Sequence, residues 1–298
     1  MKISHVPSRL AVATLAAVLP LTACSALGQG DESAGGSVVA AFYPLQYVAE
    51  RVAGDRFEVT NLTQAGAEPH DLELTVKETA QVSDAALVVH ERDFQAAVDA
   101  AVDQNATGEV LDVAESVELR PTAGGDRDDP HFWLDPLLMA DLGDAVAERL
   151  GGIDPGAAES FTDNAAALRD DLESLDAEYA ARLGDCARDV VVVNHDAFGY
   201  LAKYGLTLEP IVGLSPDAEP TPADLARLQE LARDADLTTV FAETLVSRKT
   251  AETLADDLGL EVAVLDPIEG LSEETRGEDY ASLMRSNLDA LARANGCG

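Results

Sequence analysis

The chain has 298 residues, 47% of them hydrophobic, enough to bury one large core or two of ordinary size. Its 55 Asp and Glu against 20 Lys and Arg give a formal charge of −35, a field that repels phosphate backbones and anionic lipid headgroups and so argues against nucleic acid as a partner. The same field attracts cations, although a solubilising surface accounts for most of those charges.

The N-terminus reads as an export signal. "MKISHVPSR" supplies Lys2 and Arg9, and "LAVATLAAVLP" is an apolar run too short to span a bilayer. Leu21-Thr22-Ala23-Cys24 resembles the lipobox of bacterial lipoproteins, which implies cleavage of residues 1–23 and lipidation of the Cys24 sulfur. Two acyl chains hold such a protein on a membrane where one is marginal. Residues 24–36, small and polar, read as a flexible tether. Two cysteines then remain, Cys186 and Cys297. In an exported chain such a pair is expected to form a disulfide joining the tail to the start of the second half; two buried thiols are the alternative.

From residue 37 short β-branched runs alternate with helical patterns. "VVAAF" (38–42), "FEVTNL" (57–62), "ALVVH" (86–90) and "EVLDV" (109–113) read as buried strands, with helices around Leu45–Val52, Val76–Val82 and Phe94–Val102. "VVVVN" (190–194), "LEPIV" (208–212), "TTVFA" (238–242) and "EVAVLD" (261–266) repeat the progression, with helices near Ala197–Tyr204, Pro222–Ala232, Lys249–Leu258 and Glu278–Ala294. Two α/β lobes with mainly parallel sheets follow, over residues 37–153 and 185–298. Between them, residues 154–184 read as one long helix. It opens on Asp154-Pro155, carries Phe161, Leu168, Leu172, Leu175, Tyr179 and Leu183 on one face, and stops at Gly184. At 1.5 Å per residue it would be about 46 Å long, a rigid strut across both lobes.

Three histidines stand beside carboxylates and turn residues: His70 in "GAEPHD", His131 in "DDPHFWLDP" and His195 in "VVVNHDAFGY". Each lies at or soon after the carboxyl end of an expected strand, or in a loop leading from one, where open α/β sheets assemble ligand sites. Any one of them alone is more simply a structural hydrogen-bonding group. Together, on separate elements, they converge only in a cleft.

In order along nearly the whole chain after Cys24, the stretches "GAEPHD", "DPHFWLDP", "HDAFGYLAKYGL", "FAETLVSRK" and "LDPIEGL" resemble those of the zinc and manganese solute-binding lipoproteins of bacterial ABC importers. The resemblance implies two α/β lobes joined by a long helix, with a metal ion between them held by His70 and His131 of the first lobe and His195 and Asp266 of the second. It also implies an ABC permease as partner and a monomeric, lipid-anchored, extracytoplasmic receptor that performs no chemistry on its cargo. Three imidazoles and one carboxylate suit Zn2+, whereas manganese or iron, the alternative cargo, prefers more oxygen ligands; manganese members usually place a carboxylate where this chain has His195. The long histidine-rich loop of many zinc members is replaced here by "RPTAGGDRDD", whose acids at 126–129 read as a solvated loop able at most to guide cations weakly.

Glu243 is a candidate acceptor for the second ring N–H of His195, or a cap for the helix that follows. His90 reads as a strand-end imidazole bonded to backbone or water, and Trp133 as a core anchor for its loop. A zinc hydrolase is the rival class, since three histidines with an open fourth position lower the pKa of bound water. Asp266 in that position argues against it.

Overall fold

All eight expected strands form, each beginning within one residue of its sequence pattern. The computed structural model describes residues 1, 2, 36–122, 125 and 127–298; the export signal, the tether up to residue 35, Cys24 and Asp126 lie outside the described residues. β1 (Ser37–Ala40), β2 (Glu58–Asn61), β3 (Leu87–His90) and β4 (Glu109–Asp112) make one parallel sheet in the order β2-β1-β3-β4. β5 (Val190–Val193), β6 (Thr207–Pro210), β7 (Thr239–Ala242) and β8 (Glu261–Val264) make a second in the matching order β6-β5-β7-β8. Val39 pairs with Thr60 on one side and Val88 on the other, and Val240 likewise with Val192 and Val262. Both faces of a parallel sheet are covered, so these central strands are unbroken apolar runs. In each sheet the second strand lies on one side of the first and the third on the other, a switch point that opens a crevice at the carboxyl ends.

Helices α1 (Tyr43–Ala53), α2 (Val76–Asp84) and α3 (Ala96–Asn105) belong to the first half; α6 (Pro222–Asp234), α7 (Lys249–Leu258) and α8 (Tyr280–Asn295) belong to the second. Capping boxes start three of them: Thr75 with Glu78, Thr221 with Asp224, and Asp279 with Ser282. The segment expected as a helix at 197–204 is a 3-10 helix, Phe198–Tyr204. Phe198, Leu201 and Tyr204, three apart and all buried, eclipse one another at three residues per turn and line its inner face.

Two long helices differ from expectation. α4 (Pro136–Ile153) has no counterpart in the sequence reading; Asp135 caps it by accepting from Leu137 N–H, so "LDP" after the tryptophan is a helix start. Its Gly143, Gly151 and Gly152 depress helix propensity, and packing overrides that. A Cβ at Gly143 would sit 3.1 Å from Leu168 Cδ2, so the glycine lets α4 approach its neighbour closely. That neighbour is α5 (Ala158–Leu183), which begins four residues later than expected because Asp154 turns the chain, accepting from Gly156 N–H and pairing with Arg56. All six of its expected apolar residues are buried. On one flank α5 meets α1 and α4, where Arg51 pairs with Asp171 and Arg169 with Asp141 and Asp144. On the other it meets α8, where Tyr179 Oη donates to Met284 O at 2.6 Å.

One continuous core runs from the first sheet through α4, α5 and α8 to β5; a smaller cluster lies between the second sheet and α6 and α7. Cys186 and Cys297 are bonded, as expected, closing the entry to β5 against the end of α8. Among the described residues no helix is long and apolar enough to cross a membrane.

Candidate metal centre

The three histidines meet. His70 lies in the long loop after β2, His131 in the loop after β4 and His195 two residues beyond β5, so the carboxyl ends of both sheets supply them. Their fourth neighbour is Glu269, beyond β8. One ligand atom from each of the four falls within 4.8 Å of the others. Glu269 Oε1 stands 3.2 Å from His70 Nε2, 3.4 Å from His131 Nε2 and 3.3 Å from His195 Nε2, and the last two nitrogens are 3.3 Å apart. A tetrahedral zinc with bonds of 2.0–2.1 Å requires ligand atoms about 3.3–3.4 Å apart; these four spacings match such edges, and the distances from His70 to the other two histidines stay within 4.8 Å.

The outer nitrogens are also fixed. His131 Nδ1 is 2.8 Å from Asp129 Oδ1, and His195 Nδ1 is 2.7 Å from Glu243 Oε1; each carboxylate also accepts the backbone N–H of its own histidine. With Nδ1 donating outward, Nε2 presents a lone pair inward beside a carboxylate, a concentration of acceptors that calls for a cation. Without metal, protons serve. Burial pushes the His195 imidazole down, but hydrogen bonds to Glu243 and Glu269 outweigh it and raise the group to about 10. His131 is raised by the same balance, through Asp129 and Glu269. Burial works against the Glu269 carboxylate, yet the three imidazoles hold it well below the usual range.

Hydrogen bonds across the seam position the loops. Gly66 N–H donates to Leu271 O at 2.7 Å, while within the first lobe Gln95 Nε2 donates to Pro69 O at 3.1 Å beside His70. Trp133 is fully buried and its indole N–H donates to Pro267 O at 2.7 Å, so the residue expected to anchor its own loop also latches the His131 loop to the one carrying Glu269. Tyr280 Oη in turn donates to Trp133 O.

Asp266, expected as the fourth ligand, is not in the cluster. Its Oδ1 accepts Ile268 N–H at 2.8 Å and its Oδ2 accepts the Thr244 hydroxyl at 3.0 Å, while Asn287 brackets its backbone with two hydrogen bonds. The side-chain bond to the second residue on is an Asx turn, the ordinary work of Asp-Pro after a strand. Through it the chain holds Ile268 at a φ of 59°, costly for a β-branched residue, and delivers Glu269 inward. Glu269 stood in the same "LDPIEGL" stretch, three residues on, and the turn chemistry of Asp-Pro was the signal for preferring it. Glu243 takes the orienting position and not the helix cap, since α7 begins at Lys249. Asp129, expected in a solvated loop, is buried and orients His131. His90 is buried at the end of β3, with Nδ1 3.2 Å from Asp99 Oδ1, apart from the cluster.

Fold and cluster together define a class, the two-lobe solute-binding proteins. Within it, the chain belongs to the family described as ZnuA, zinc-uptake complex component A periplasmic, which matches residues 38–294. It is 35% identical over 301 residues to the zinc-binding lipoprotein AdcA of Streptococcus pneumoniae, covering 95% of this chain and 60% of that protein. It is 32% identical over 286 residues to the high-affinity zinc uptake system protein ZnuA of Bacillus subtilis, covering 90% and 89%. The crystal structure of the Zn(II)-bound ZnuA-like domain of Streptococcus pneumoniae AdcA matches with a TM-score of 0.75 at 35% identity, over 87% of this chain and 98% of that one. The chain thus spans about 60% of the length of AdcA.

Proposed function

We propose that this protein is an extracytoplasmic receptor that captures one Zn2+ between its lobes through His70, His131, His195 and Glu269 and delivers it to an ABC permease, held to the membrane by a lipid on Cys24. The carrying observation is one carboxylate oxygen set 3.2–3.4 Å from a nitrogen of each of three imidazoles, distances that suit the edges of a zinc tetrahedron. Manganese and iron favour more oxygen donors at higher coordination, and the single carboxylate speaks for zinc. The zinc-related names of the relatives point the same way. Glu269 fills the position that a hydrolase keeps open for water, which favours a binder over an enzyme.

Competition against a chromophoric chelator tests the ligand set. The native chain should bind one zinc, and Glu269→Gln should weaken it at least about 100-fold, beyond the range typical of losing an outer partner. Asp266→Asn should stay within a few-fold of native, because it keeps the turn acceptor. Loss of affinity in Asp266→Asn with none in Glu269→Gln would reverse the assignment.

A further inference from the structure

Beside the metal centre lies a cavity of about 560 Å³ bordered by elements of both lobes: the ends of β3 and β4, the loop before His131, and Leu214 and Ser215 from the second lobe. Of the four cluster residues only His70 lines it, and His70 is also the one whose side chain keeps solvent exposure, 15% against 0–2% for the other three. An ion reaching the cluster through this cavity therefore meets His70 first. Glu91, Asp93, Asp112 and Asp128 line the same space, against Arg92 and Arg127. Arg92 is drawn aside, 3.1 Å from Asp103 and 3.6 Å from Asp112.

Glu91 is the anomaly. Only 3% of it is exposed, and its Oε2 has no hydrogen-bond partner, a costly arrangement for a carboxyl unless a cation visits it. Burial, with Asp129, Asp112 and Asp99 nearby, pushes its carboxyl well above the usual range, so it keeps its proton until a cation takes the proton's place. Six water molecules occupy about 180 Å³, so the cavity has room for an ion with its hydration shell intact. Among the described residues no second group of three donors converges as the cluster does, so this space suits a hydrated ion held loosely over a stripped one held tightly.

We propose that the cavity is the entry vestibule of the receptor, and that the Glu91 carboxylate receives the hydrated divalent cation before His70 takes it into the cluster. This rests on the zinc-receptor reading and adds the route and the residue that set the rate of capture. Asp93, Asp112 and Asp128 around the opening raise the local cation concentration, and Glu91 gives up its proton as the ion arrives, so the effect falls on the association rate more than on the final affinity.

The test is stopped-flow mixing of metal-free protein with zinc and a zinc-responsive dye, at fixed ionic strength. Glu91→Gln should slow association about tenfold, with a smaller change in equilibrium affinity, and Glu91→Asp should recover most of the rate. Ser215→Arg puts a cation on an exposed residue lining the cavity and should slow association likewise; it decides the matter should Glu91→Gln fail to fold. An unchanged association rate in either folded, zinc-binding variant overturns the vestibule alone. Failure of the native chain to bind zinc overturns the receptor reading, and the vestibule with it.

Discussion

At the scale of single residues, Asp266 and Glu269 divide one task. The aspartate is spent on the turn, and the glutamate is thereby aimed at three imidazoles. Burial raises the Asp266 carboxyl to about 6, with the Ile268 N–H and Thr244 hydroxyl partly opposing it. A carboxyl whose folded pKa lies above its unfolded value holds its proton longer in the native state. Its stabilisation is therefore fully present below the unfolded pKa of 3.8 and is lost as pH rises through about 6. Two units correspond to about 3 kcal/mol. Urea unfolding of the metal-free protein at pH 4 and at pH 7, compared with Asp266→Asn, should show native losing up to about that much more stability than the variant on going to pH 7. Equal pH dependence in the two would show that Asp266 titrates normally. The histidines were legible because they are few, His195 sits just past a strand end, and Pro69 and Pro130 keep the other two out of helices. Glu269 was not, because one glutamate among 55 acids carries no sequence signal until the Asx turn before it is recognised.

At the scale of elements, strands were the most readable features, since a strand covered on both faces must be a short apolar run, and the eight runs here have few competing interpretations. α4 went unread because its glycines dilute the helical pattern and its start, "LDP", overlaps the histidine motif. The late start of α5 has a comparable cause: Asp154-Pro155 is a plausible helix opening, but the Asp154 side chain is engaged by Arg56 and Gly156 instead. The disulfide belongs to this scale too. Cys186 precedes β5 while His195 follows it, so bridge and metal centre lie at opposite ends of that strand. Because the bond closes a span of 111 residues, its loss acts chiefly on the unfolded chain. The double variant Cys186→Ser, Cys297→Ser should lose about 2–4 kcal/mol in denaturant unfolding with zinc affinity unchanged. A comparable loss of zinc affinity would mean that the bridge shapes the site.

At the scale of the whole molecule, the lobes are not two bodies on a flexible hinge. α5 spans about 39 Å, and the core beneath it is continuous from the first sheet to β5. Such a core resists wide domain closure, so in the proposed receptor capture and release of the ion would fall to the loops at the seam, above all the one bearing His70, the most accessible of the four. Their cross-links, Trp133 to Pro267 and Gly66 to Leu271, hold the two halves of the cluster in register.

The most direct measurement is anomalous diffraction at the zinc edge from crystals of the zinc-loaded protein. The account predicts one strong peak in the seam, within about 2.0–2.2 Å of Nε2 of His70, His131 and His195 and of a carboxylate oxygen of Glu269. A peak bound by Asp266 with Glu269 turned away, or held by residues of one lobe alone, would contradict it.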